Sequence, residues 1–106
     1  MTHRYKDTLA KCRIKEKSIL AYIAMQILGT SKVAMVIGKT IYLYGISKEL
    51  FLKDEVWVLH EICHILQFQK YGFWRFLYLY IRESIRKGYY NNRFEKQARR
   101  FTGQET

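Results

Sequence analysis

Apolar residues fall into short blocks along this chain, and the spacing inside each block predicts an element. Ile19, Leu20, Tyr22, Ile23, Ile27 and Leu28 form a broad apolar surface at helical spacing, with Ser18 as N-cap and Gly29 as the stop. Val33 to Ile37 and Thr40 to Tyr44 are rich in β-branched and aromatic residues, and Gly38-Lys39 between them reads as the two-residue turn of a hairpin. After Gly45 a polar connection leads to Asp54, which can cap a helix from about Glu55 to Lys70. Tyr71-Gly72 ends that helix. Phe73 to Lys87 reads as the next, with Phe73, Phe76, Leu77, Tyr80, Ile81 and Ile85 at helical spacing and Gly88 closing it. Asn91 or Asn92 can cap a last helix from Arg93 to Phe101, which ends at Gly103.

This order, helix, two strands and three helices, predicts an α+β fold: mainly helical, with a small two- or three-stranded antiparallel sheet packed on the helix of residues 55 to 70. The 106 residues are enough for one core and too few for two, so a single domain spanning 1–106 is expected. Hydrophobic residues at 49% and aromatic residues at 16% exclude a disordered chain, and the absence of proline lets helices run uninterrupted. No stretch reaches the roughly 20 apolar residues that a membrane span needs; even Phe73 to Ile81 contains Arg75. A basic stretch followed by the apolar run Ile19 to Leu28 imitates a secretory leader, but Asp7 and Glu16 interrupt the first and Gln26 the second, which favours a folded amphipathic helix.

Charge adds a second layer. Nineteen Lys and Arg against nine Asp and Glu give +10, which favours an acidic partner such as nucleic acid, an anionic membrane or an acidic peptide. The excess gathers between Arg4 and Lys17 and again between Arg82 and Arg100, and both runs read as solvated faces. Cys12 and Cys63 stand far apart, with no second cysteine near either, and point to reduced thiols in a cytoplasmic protein.

The chemistry concentrates in His60-Glu61-Ile62-Cys63-His64. Four residues on a helix bring both imidazoles to one face about a turn apart, close enough to hold a single zinc ion. Glu61 lies about 100° round the helix from His60, beside the pair, where its carboxylate can act as general base toward a water that zinc acidifies. Ile62 points away and anchors the helix to the core with Val58 and Ile65, while Cys63 is expected as a small packing residue. Trp57 and Trp74 are expected to seal the core around this helix.

A catalytic zinc ordinarily takes three protein ligands. His3, in the basic N-terminal stretch, is a poor third ligand, and a carboxylate fits better. Glu95 follows His64 by 31 residues on the first turn of the last helix, whereas Glu83 sits between Arg82 and Arg86. By spacing alone, Glu95 is equally placed to ligate or to close a capping box from the third helical position after Asn92.

Residues from about Gly38 to Phe101 resemble the gluzincin type of zinc metallopeptidase, in particular small bacterial domains of that kind. The resemblance rests on the His60 to His64 motif, the following Leu66-Gln67, and the downstream run from Gly88 to Ala98. It implies a zincin-like fold, with His60, His64 and Glu95 as ligands, Glu61 as base, zinc as cofactor and a peptide or protein as substrate. Two features depart from the pattern: Arg93 stands where relatives often place proline, and the large additional domains that shape a substrate cleft are not expected within these 106 residues.

Tyr90, or its neighbour Tyr89, is the candidate donor to a developing oxyanion, and strand Thr40 to Tyr44 is a candidate edge for pairing with an extended peptide. Two rival functions remain at this level. One is a zinc-bound interaction module without catalysis, and the other is a basic protein that binds nucleic acid or a membrane surface and needs no metal.

Overall fold

In the computed structural model, which describes residues 3–103, the elements run α1 (His3–Lys11), β1 (Arg13–Lys15), α2 (Ile19–Leu28), β2 (Val33–Ile37), β3 (Thr40–Tyr44), α3 (Lys48–Lys53), α4 (Glu55–Tyr71), α5 (Phe73–Asn91) and α6 (Arg93–Phe101). The fold is α+β, as expected. Local chemistry sets the boundaries. Ser18, Ser47, Asp54 and Asn92 each accept a hydrogen bond from a backbone N–H in the first turn of α2, α3, α4 and α6 respectively. Gly88 sits at φ 80° inside the span of α5 and breaks its helical path, at the residue where the sequence predicts its end.

Three elements go beyond the sequence expectation. In α1, Tyr5 and Leu9 are the residues that pack on the core, too sparse among Arg4, Lys6, Asp7 and Lys11 to show a period. The connection before Asp54 is not irregular throughout, because Ser47 caps the short α3 and Phe51 buries its ring. The third addition is β1, and it changes the sheet. β1 pairs in parallel with β3, Arg13 opposite Thr40 through Lys15 opposite Tyr42, while β2 pairs with β3 antiparallel. The sheet is therefore mixed rather than antiparallel, in the order β1-β3-β2. Thr40–Tyr44 is its centre and has neighbours on both sides, so it cannot add a peptide strand; the hairpin's open edge belongs to β2.

Two apolar clusters hold the layers together. Ile41 and Leu43 from the central strand meet Phe51 of α3 and Val58, Ile62 and Ile65 of α4, the helical face that was expected to anchor the motif. Phe68, Phe76 and Phe94 join α4, α5 and α6, with the rings of Phe68 and Phe94 meeting Phe76 edge-on at 4.6 and 4.9 Å. Each such buried ring stabilises the fold by about 1.5–3 kcal/mol.

Other apolar residues stay outside. In α2 it is Ala21 that is buried, because a small residue lets the helix lie close on the sheet, and Ile19 and Ile27 flank it at 77% and 79% exposure. Trp57 packs against Phe51 as expected, but Trp74 is 78% exposed and seals nothing. Ile81 and Ile85 are exposed too, since α5 turns Phe76 inward instead. Among the described residues, no helix is long and apolar enough to cross a membrane.

Candidate metal centre

The motif helix delivers His60 and His64 to one side of α4, ring centroids 5.1 Å apart, while Ile62 is fully buried on the other. Opposite the imidazoles stands Glu95 on α6. Its Oε1 lies 3.0 Å from Nε2 of His60 and 3.1 Å from Nε2 of His64. One ligand atom from each of the three residues lies within 4.8 Å of the others.

Two of the three side chains, His64 and Glu95, are fixed by further contacts. Gln67, one turn beyond His64, donates its amide to the Phe94 carbonyl at 3.2 Å and to Gln97 Oε1 at 2.8 Å. With both amide hydrogens so used, its oxygen faces His64 Nδ1 at 2.8 Å and accepts a hydrogen bond from it. In the neutral ring this leaves the Nε2 lone pair aimed at Glu95. The other oxygen of Glu95 accepts a hydrogen bond from the Tyr80 hydroxyl, so Oε1 alone faces the two imidazoles.

Asn92 places Glu95 by fastening the start of α6 to α5. Its Oδ1 accepts from the Phe94 N–H at 2.8 Å, and its Nδ2 donates to the Tyr80 carbonyl at 3.1 Å and to Ser84 Oγ at 2.9 Å. The Asn92 N–H donates to the Tyr89 carbonyl, so Glu95 closes no capping box and its carboxylate is committed to the histidines and Tyr80. Arg93 has a use that proline would lack: its backbone N–H donates to Glu83 at 3.2 Å. Glu83 is thus occupied away from the cluster.

Two neutral imidazole nitrogens and a carboxylate oxygen converging at hydrogen-bond distance are all acceptors, so protons or a cation must lie between them. With protons there, burial disfavours charge on His64, but Glu95 and Glu61 more than reverse this and raise it to about 9. Burial also works against charge on Glu95, yet the bonds from His60, His64 and Tyr80 prevail and hold its carboxyl far below the usual range. Burial lifts Glu61 to about 7 against the pull of both imidazoles, and lifts the Tyr80 hydroxyl, beside Glu95, well above the normal phenol range. A cation of the size and borderline softness of zinc fits the donor set: two nitrogens and one oxygen, with a second-sphere partner behind His64 and another behind Glu95.

Glu61 is 4% exposed and stands where two cavities meet. One, of about 280 Å³, is walled by residues 34–37 of β2 and by Phe76, Leu77 and Ile81 of α5, and is largely apolar. The other, of about 500 Å³, opens past Lys32, Val33, Trp57, His60 and Arg99. Ala34, Glu61 and Tyr89 line both. Tyr90 lines neither of the two: it is 67% exposed and its ring lies 4.2 Å from the Arg99 guanidinium.

Cys63 is buried within the motif, where burial and then the charges of Glu95 and Glu61 push its thiol up to about 11, the behaviour of a packing residue. The side chain of His3 lies outside the described residues. The residues that sequence reading left without a role are Gln67 and Tyr80, and of its two candidate oxyanion donors Tyr89 is the one that borders both cavities. Gln67 carried a usable signal, since a residue three positions after His64 shares its helical face. Tyr80 carried none, because its meeting with Glu95 depends on how α5 crosses α4 and α6. No protein-family model, curated protein or solved structure matches the chain.

Proposed function

We propose that this protein is a zinc-dependent hydrolase, a metallopeptidase, in which His60, His64 and Glu95 hold the metal and Glu61 is the general base. The observation that carries the reading is the convergence of three acceptors on one point beside a buried carboxylate, Glu61, that lines both cavities. Zinc bound there supplies a Lewis acid that polarises a carbonyl and acidifies water. Glu61 receives the proton of the attacking water and passes it to the leaving amine, since it lines both cavities and can meet substrate from either side. Tyr89 is better placed than Tyr90 to donate to the developing oxyanion, because it borders both cavities.

The open edge of β2 supports a peptide as substrate. Residues 32–37 run past Glu61 from one cavity to the other, so an extended segment added alongside would carry its scissile bond across the base. The apolar cavity would take a large aliphatic or aromatic side chain.

The test is metal content beside turnover. His60→Ala and Glu95→Ala should lose the roughly one zinc per chain that the wild type carries. Glu61→Gln should keep zinc and lose about a thousandfold in the rate of cleaving a mixed peptide library. Zinc retained in all three variants would overturn the ligand assignment, and a Glu61→Gln variant as active as wild type would remove the base.

A further inference from the structure

Helix α5 carries an apolar row that the fold leaves bare. Trp74, Tyr78, Ile81 and Ile85 follow one another at intervals of four, three and four residues, which places them on one side of the helix, and they are 78%, 64%, 48% and 80% exposed. The opposite side turns Phe76 into the core and sends Tyr80 to Glu95. Alongside the row run Arg75, Arg82 and Arg86, each one residue after a member of it and all exposed. None of the three forms an ion pair among the described residues. Glu83, the acidic residue of this helix, is engaged by Lys87 and the Arg93 N–H. The face therefore joins aromatic and aliphatic side chains to an uncompensated row of guanidinium groups.

We infer that this face of α5 docks the protein on an anionic lipid surface. The chemistry of the face selects that partner. Trp and Tyr settle at the headgroup level, Ile81 and Ile85 gain by entering the acyl boundary, and arginines on the flank meet lipid phosphates. Nucleic acid would satisfy the arginines but gives exposed isoleucines nothing to enter, since stacking needs aromatic planes. A second copy is disfavoured because a two-fold contact through this row brings one arginine row against its twin on chains of net charge +10.

Docking has a consequence for the site. Ile81 belongs both to the exposed row and to the wall of the apolar cavity beside Glu61, so a membrane against α5 lies at the lip of that cavity. The consequence rests on the hydrolase reading and points to substrates presented at a membrane surface; the docking itself does not depend on that reading, and neither does its test.

The whole chain is mixed with vesicles of phosphatidylcholine alone, or of phosphatidylcholine and phosphatidylglycerol in equal parts, and sedimented. Binding to the anionic vesicles only, weakened by salt and accompanied by a blue shift of tryptophan emission, is the expected result. Trp74→Ser with Ile85→Ser should abolish it, and Arg82→Gln with Arg86→Gln should weaken it by roughly 30-fold. Ile27→Ser, at an equally exposed position on α2, should leave it unchanged. The inference is overturned by absence of vesicle binding, by equal loss in Ile27→Ser, or by duplex DNA or RNA binding that competes with vesicles and survives the Trp74/Ile85 change. It is equally overturned by a wild-type dimer that this double change converts to a monomer.

Discussion

At the scale of single residues, the side chain that most repays a test is Gln67. Its amide is held by the Phe94 carbonyl and Gln97, and its oxygen fixes which nitrogen of His64 carries the proton. Gln67→Leu keeps the size of the side chain but lets the His64 ring turn, so zinc affinity should fall about 10- to 100-fold, as measured by competition with a chromogenic chelator. An affinity within twofold of wild type would mean that His64 is oriented by packing alone. Of the site itself, His60, His64 and Glu61 were legible because helical spacing is a local property. Glu95 was legible only through the resemblance, since spacing left it divided between ligand and cap. The tyrosines were the weak point: neither Tyr89 nor Tyr90 is distinguished by its position in sequence, yet Tyr89 borders both cavities and Tyr90 lies over Arg99.

At the scale of elements, the start of α6 decides whether Glu95 reaches the two histidines. Asn92 is fully buried and its side chain makes three hydrogen bonds, one that caps α6 and two that tie it to α5. Asn92→Ala removes the cap and leaves the Tyr80 carbonyl and Ser84 hydroxyl without their donor, a loss of roughly 2–4 kcal/mol. In a domain of this length that lowers Tm by roughly 10–25 °C. Asn92→Asp keeps the capping oxygen and loses the donors, so its Tm should fall between the two, which thermal unfolding followed by circular dichroism would show. Two variants of equal Tm would assign the whole effect to the lost donors, and an Asn92→Asp variant as stable as wild type would assign it to the cap. The cap, the hairpin and the helices from Ser18, Asp54, Phe73 and Asn92 were legible, because each has a boundary residue and an internal period. What escaped was either short, as with β1 and α3, or set by tertiary choice. Apolar residues cover much of α5, and period alone does not say that Phe76 goes inward while Trp74 and Ile85 stay out.

At the scale of the molecule, the cluster is a cross-brace. α4 and α6 are separated in sequence by the whole of α5, and polar contacts between them run through His60, His64 and Gln67 on one side and Glu95, Gln97 and the Phe94 carbonyl on the other. Without metal, that brace must bury extra protons in a chain already at +10; with metal, the same three atoms are satisfied by one ion that unfolding releases. Zinc should therefore stabilise the fold by mass action. At a thousandfold excess over Kd the gain is about 4 kcal/mol, which raises Tm by roughly 15–30 °C. Scanning calorimetry with and without zinc, then with chelator added, measures it directly. Glu95→Ala should lose most of the shift and Glu61→Gln should keep it, which separates holding the ion from using it. Magnesium should give no shift, because two imidazoles suit zinc and not a hard cation that prefers oxygen and water. A wild-type Tm indifferent to zinc would leave protons as the only occupants of the cluster, and the buried carboxylate beside it without a reaction to serve.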